Sequence, residues 1–270
     1  MLRLAVRVHR HQADLVLAEL LELAPSGVEE VEISPEVIEY AVYGAPGELP
    51  AVPDLRAAAG GAYVDVSTQE IADDWADRWR SFHRPLVIGD RLTVRPPWEP
   101  PGDTALDVVV DPGQAFGTGS HATTRLCLEL MLELDTTGGG SLVDVGCGSG
   151  VLAIVAAKLG FAPVIAHDDD RAATAATREN AARNGVELDV RDFDMREEQA
   201  PRADCGVANV LAGPLVVWAE RQRELPSTLI LSGLLATEAD RVAAAYARRG
   251  QTERTRRTSG EWAALLTARA

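Results

Sequence analysis

The sequence predicts an α/β chain with a doubly wound parallel sheet over residues 85–270, preceded by a small α+β unit at 1–68 and a helical linker at 69–84. Three observations predict it. Beyond residue 140, short apolar runs alternate with runs of helical spacing, the pattern that sets helices on both faces of a parallel sheet. The first 68 residues read strand, helix, strand, strand, helix, strand, the order of a ferredoxin-like split unit. A glycine-rich turn, DVGCGSG at 144–150, falls between a strand and a helix, where such sheets receive ligands.

In the first unit LRLAVRV (2–8) alternates as a half-buried strand does, and QADLVLAELLELA has helical spacing until Pro25-Ser26-Gly27 stops it. VEEVEI and EVIEYAVYG are strands parted by Ser34-Pro35, PDLRAAAG is a short helix, and AYVDVST closes the unit as a strand. The linker QEIADDWADRWRSFHRP carries Trp75, Trp79 and Phe82 at offsets of four and three, on one face of a helix. LVIGDRLTVRPPWEPP predicts a hairpin, and ALDVVVD a strand that runs into the loop DPGQAFGTGSHATT. After the helical run RLCLELMLEL come the strands SLVDV, PVIAH, ELDVRD, CGVANV and STLILSG, separated by helices near 150–159, 172–184, 213–224 and 236–248. RTSGEWAALLTARA reads as one last antiparallel strand.

The bulk properties narrow the function. No stretch is long and apolar enough to span a bilayer, and MLRLAVRVHRHQAD lacks a signal-peptide core, so a soluble cytoplasmic protein with no membrane partner is expected. Three cysteines and five histidines form no metal-ligand spacing, so no metal is expected. A net charge of −15 opposes nonspecific adhesion to nucleic acid and suits a basic partner. Residues 1–68 hold four arginines, no lysine and eleven Asp and Glu, which is four minus eleven, or −7.

Gly146, Gly148 and Gly150 let backbone approach a ligand at a helix N-terminus, but their G-x-G-x-G spacing is not the dinucleotide pattern. Asp168 lies 22 residues after Gly146 at the next strand tip, where a carboxylate can accept from both hydroxyls of a ribose. Loop plus acid point to a nucleoside without pyrophosphate, with S-adenosylmethionine the leading candidate. Asp169 and Asp170 read as solvated, and Arg191 to Asp194 as the approach to the base. Asn209, in ANVLAGPL, stands at the sheet's carboxyl edge beside the proposed donor. Trp262 could offer a ring face to a methylated ammonium. His121 reads as a helix-opening residue or, less favourably, a base.

DPGQAFGTGSHATTRLCLELM, LVDVGCGSGVLAIVAAKLG, ANVLAGPL, LSGLL and EWAALL, in that order, resemble the ribosomal protein L11 methyltransferase (PrmA) family, as does the linker stretch DDWADRWRSFHRPLVIGDRL. The match runs over roughly 70–268, with Gln114, Ala122, His167 and Arg171 departing from the family pattern. The resemblance implies a class I, Rossmann-like methyltransferase domain whose donor site is made by Thr124, Gly146, Asp168 and Asn209. It also implies that Phe116, Gly117, Thr118 and Gly119 cover the methionine end. The implied partner is a large-subunit ribosomal protein of the stalk base, methylated on lysine side chains and an N-terminal amine; nothing in the sequence suggests an obligate dimer, and a monomer is expected. Asn209, Thr118 and Trp262 are the candidate catalytic residues. The rival readings are a nucleic-acid methyltransferase of the same fold, a nicotinamide-dependent dehydrogenase, and a non-catalytic ribosome-binding factor.

Overall fold

The computed structural model describes residues 2–13, 16, 28–44, 63–70, 84–111, 121–134 and 139–269. The chain divides into two compact units, Met1–Phe82 and His83–Ala270.

The first unit holds strands β1 (Leu2–His9), β2 (Glu29–Ser34), β3 (Val37–Gly44) and β4 (Tyr63–Glu70) in the order β2-β3-β1-β4, every pair antiparallel. That is the strand order of a ferredoxin-like sheet. Alternation explains its core. Leu4, Val6 and Val8 of β1 pack with Ile38, Tyr40 and Val42 of β3 and with Ala13 and Val16. Residues between them face the other way, and there Glu39 accepts from Arg3 Nη2 at 2.6 Å and Arg7 Nε at 2.7 Å. Burial raises the Glu39 pKa, but the hydrogen bonds from both arginines outweigh it and hold the carboxyl below its ordinary range. β4 continues to Glu70, two residues into the expected linker. Residues 71–83 of that linker, with Trp75, Trp79 and Phe82, lie outside the described residues, as do the helix expected at 53–60 and nearly all of that at 12–24.

The second unit begins with the expected hairpin, β5 (Leu86–Ile88) and β6 (Leu92–Arg95), whose turn uses Gly89 at φ 55°. β7 (Leu106–Val109) joins β6 in parallel, and α1 (Ala122–Met131) follows. Then come β8 (Leu142–Val145), α2 (Val151–Lys158), β9 (Val164–Asp168), α3 (Arg171–Asn184), β10 (Asp189–Asp192), β11 (Cys205–Asn209), α4 (Ala212–Arg221), β12 (Thr228–Leu235) and α5 (Ala239–Ala247). The last elements are β13 (Gln251–Ser259) and β14 (Trp262–Arg269). The sheet order is β10-β9-β8-β11-β12-β14-β13, parallel except where β14 runs against β12 and β13.

The single terminal strand expected from the sequence is therefore a hairpin. β13 is the outer edge strand, largely exposed and polar (QTERTRRTS), so it offers no apolar alternation to read. Two apolar layers flank the sheet. Leu126 to Met131 of α1 and Val151 to Ala156 of α2 pack on one face; Leu215 and Trp218 of α4 and Val242 and Tyr246 of α5 pack on the other. The chain winds outward from β8 to β9 and β10, then returns to β11 on the opposite side of β8. A crevice opens at that reversal, outside the strands' carboxyl ends. Among the described residues no helix is long and apolar enough to cross a membrane.

Candidate functional site

The crevice is a cavity of about 280 Å³ lined, among the described residues, from five segments: Thr124 of α1, the loop after β8 with the start of α2, the end of β9 with Asp169, Phe193, Met195 and Arg196 after β10, and Asn209 with Val210 and Pro214.

The loop after β8 is tied down by its backbone. Gly146 N and Cys147 N both donate to His167 O, at 2.8 and 2.9 Å, which seats the loop on the neighbouring strand. Gly146, Gly148 and Gly150 have φ of 78°, 54° and 82°, a region that side chains strain to enter. Space adds a second demand. A Cβ on Gly146 would run into Val210, and one on Gly150 would lie 2.8 Å from Thr177 Cγ2. These two glycines thus make room for protein neighbours; Gly146 also lines the cavity, whereas Gly150, the N-cap of α2, does not.

Asp168 ends β9 with both oxygens engaged. Oδ2 accepts from Gly148 N at 2.9 Å and Oδ1 from Asp170 N at 3.0 Å, which aims the carboxylate at the loop and leaves lone pairs for further donors. Burial raises its pKa against those two hydrogen bonds. Asp144, one strand away, is fully buried; burial lifts its carboxyl to about 7, while Oδ2 accepts from Ala153 N at 3.1 Å. His167 points away from Asp168, 2% exposed, with its ring 4.4 Å from that of Phe193. Neither ring nitrogen has a partner, and burial lowers its pKa to about 4.

Asn209 ends β11. Its Nδ2 donates to Thr124 Oγ1 at 3.2 Å, which fixes the amide, while Oδ1 is buried with no partner. An orphaned amide oxygen on a residue that lines a cavity is an acceptor the fold itself does not satisfy.

Phe116, Gly117, Thr118 and Gly119 lie outside the described residues. Thr124, Gly146, Gly148, Asp168 and Asn209 come together on the cavity. Trp262 is not among the described lining residues and packs edge-on against the His121 ring at 4.9 Å. His121 caps α1, its Nδ1 accepting from Thr123 N at 3.3 Å. Asp169 and Asp170 are exposed, as expected, but each also has a partner. Asp169 pairs with Arg196 at 2.8 Å on the cavity wall, and Asp170 caps α3 by accepting from Ala172 N at 2.8 Å. Sequence reasoning missed Met195 and Arg196. The available signal was a phenylalanine and a methionine in the otherwise polar stretch RDFDMREE after β10.

These residues fit a nucleoside carrying a cationic sulfur. Asp168, whose carboxylate keeps free lone pairs, and Asn209, with an unpartnered acceptor, line one cavity whose charged lining among the described residues is Asp168, Asp169 and Arg196. Two carboxylates and one guanidinium oppose a pyrophosphate and tolerate a cation.

The sheet order, with its crevice at the tip of β8, defines a Rossmann-like domain of the class I methyltransferase type. The pattern of the family described as ribosomal protein L11 methyltransferase (PrmA) matches residues 52–270, and the chain belongs to that family. It is 45% identical over 192 residues to the "Ribosomal protein L11 methyltransferase" of Yersinia pseudotuberculosis, covering 69% of this chain and 65% of that one. Over 146 residues it is 49% identical to the protein of that name from Symbiobacterium thermophilum, covering 53% of this chain and 48% of that one. The matched stretch is thus just under two thirds of the Yersinia relative's length. A crystal structure of a ribosomal protein L11 methylase from Lactobacillus delbrueckii subsp. bulgaricus aligns with a TM-score of 0.62 at 28% identity, covering 69% of this chain and 99% of that one.

Proposed function

We propose that this chain transfers methyl groups from S-adenosylmethionine to amino groups of ribosomal protein L11, on lysine side chains and an N-terminal amine. The observation that carries the reading is the unpartnered Asn209 Oδ1, fixed by Thr124 at the edge of the cavity that Asp168 shares. The relatives' names support ribosomal protein L11 as the substrate, in our reading a large-subunit protein of the stalk base on the resemblance alone, and the chain's acidity suits a basic partner.

Bound, the donor supplies an electrophilic methyl group on a positively charged sulfur. In this reading Asp168 accepts from the ribose hydroxyls, and the backbone around Gly146 and Gly148 lies along the methionine end. The described residues position and desolvate the reactants, which is most of what an in-line displacement requires. The acceptor must arrive as a neutral amine, because an ammonium has no lone pair. Deprotonating a lysine of pKa about 10.4 at pH 7 costs about 4.6 kcal/mol. Burial beside a cationic sulfur lowers that cost, since desolvation and like charge both disfavour the ammonium. Asn209 Oδ1 then accepts from the amine N–H and turns the lone pair toward the methyl. The acidic first unit, residues 1–68 and the linker after it, recruits the protein substrate, and the second unit holds the donor.

The test is intact mass spectrometry of purified L11 after incubation with the chain and S-adenosylmethionine. Mass gains in whole methyl steps are expected. An unmodified L11, or methyl groups found on ribosomal RNA in its place, would overturn the reading.

A further inference from the structure

Arg196 is the one guanidinium on the cavity wall among the described residues, and the reaction as derived does not use it. Its position is heavily determined. Asp194 grips it bidentately, Oδ1 accepting from Nε and Oδ2 from Nη2, both at 2.8 Å, while Arg196 N also donates to Asp194 Oδ1 at 2.8 Å. The turn is closed underneath, with Glu197 N and Glu198 N donating to Asp194 O at 3.0 and 2.9 Å. From the other loop Asp169 Oδ2 accepts from Nη2 at 2.8 Å. Asp169 follows Asp168 directly, and Phe193 N donates to Asp168 O at 2.8 Å. The segment after β10 is therefore stitched to the tip of β9 twice: by backbone at Phe193 and by the Arg196–Asp169 pair at the rim.

Phe193 and Met195 form the apolar part of this wall. If Asp168 holds the ribose, the wall beside it is where the base lies. We infer that Arg196 is a positioning residue for the base end of the nucleoside donor, holding Phe193 and Met195 against the Asp168 side through its pair with Asp169. The inference rests on the donor reading above. It predicts a particular dependence on ligand: the base-and-ribose portion should feel Arg196, and the amino-acid portion should not. It also predicts a dependence on salt, because both partners of the rim pair are more than half exposed and their attraction is screened.

Titration calorimetry with S-adenosylhomocysteine and with 5′-methylthioadenosine, which lacks the amino-acid arm, tests it on the full chain. Arg196→Ala should weaken both ligands by the same factor, roughly three- to fivefold for an exposed pair, and the loss should shrink as salt rises. kcat at saturating donor should be unchanged. Arg196→Lys, which keeps the positive charge between Asp194 and Asp169, should recover part of the affinity lost in Arg196→Ala, and that recovery should fade with salt in the same way. Unchanged affinity of Arg196→Ala would overturn the inference while leaving the donor reading intact. So would a loss confined to S-adenosylhomocysteine, which would put the guanidinium on the donor's carboxylate. A wild-type chain that binds neither ligand would instead overturn the donor reading itself.

Discussion

At the scale of single residues, the site's chemistry is set by what is left unsatisfied. Asn209 Oδ1 has no partner although Nδ2 is anchored on Thr124, and in the proposed reaction that free acceptor meets the amine. Asn209→Ala should lower turnover about tenfold, close to one hydrogen bond's worth of transition-state stabilisation, and change donor affinity much less. Steady-state kinetics beside donor titration separates the two effects. Intact turnover would remove Asn209 from the reaction.

His167 is unsatisfied in a different sense: its two buried ring nitrogens serve no hydrogen bond. Its pKa falls from an unfolded value near 6.5 to about 4 through burial, so the folded chain prefers the neutral ring. That preference costs nothing above pH 6.5 and removes stability as pH falls from there through 4. Asp144 has the opposite sign, since a carboxyl raised to about 7 favours folding at low pH and loses that advantage as pH rises through 7. His167→Leu should match the wild type within about 1 kcal/mol at pH 8, where lost ring stacking offsets the relieved nitrogens. It should then become the more stable of the two near pH 4.5. Urea midpoints at both pH values decide it, and parallel curves would show that His167 does not titrate with folding.

At the scale of elements, much of the site was legible because strand tips carry it. Asp168 and Asn209 close apolar runs that no other element could use, so placing β9 and β11 placed both residues. The glycine loop was legible as a loop, but only the structure reveals that Val210 and Thr177 occupy the space a Cβ would need. Gly146→Ala and Gly150→Ala should therefore destabilise by more than the roughly 1 kcal/mol of a left-handed φ alone, because overpacking adds to the strain. Thermal unfolding of the two variants checks this against Gly185→Ala, where φ is 64° but nothing lies within reach of the new methyl. Equal losses at all three would reduce the loop glycines to backbone conformation. β13 was not legible, since an exposed edge strand presents no apolar period. Arg196 escaped for a related reason. Its role depends on Asp169, 27 positions earlier, and no local pattern encodes a pairing across two loops.

At the scale of the whole molecule, the two units differ in what they can contribute. The second has its own two-layer core, built entirely from residues between 86 and 266, and it contains the described cavity. The first contributes a balance of four arginines against eleven carboxylates over residues 1–68, nearly half of the chain's −15. Even there positive charge is partly spoken for, because Arg3 and Arg7 both bind Glu39. The exposed carboxylates there include Glu29, Glu30, Glu32 and Asp65, with Glu29 3.4 Å from Arg3 and Glu32 2.7 Å from Arg10. A field of one sign speeds the encounter with an oppositely charged protein, and salt weakens it. Replacing Glu29, Glu30 and Glu32 by Gln should thus raise KM for L11 severalfold at low ionic strength, with kcat and donor affinity unchanged. Raising salt should bring wild type and variant together, because screening erases the difference between them. Deleting residues 1–68 goes further: donor binding should survive and methylation of folded L11 should be lost. If the triple variant kept the wild-type KM at every salt concentration, recruitment by the acidic unit would have to be abandoned, while the methyl-transfer chemistry at Asn209 would stand.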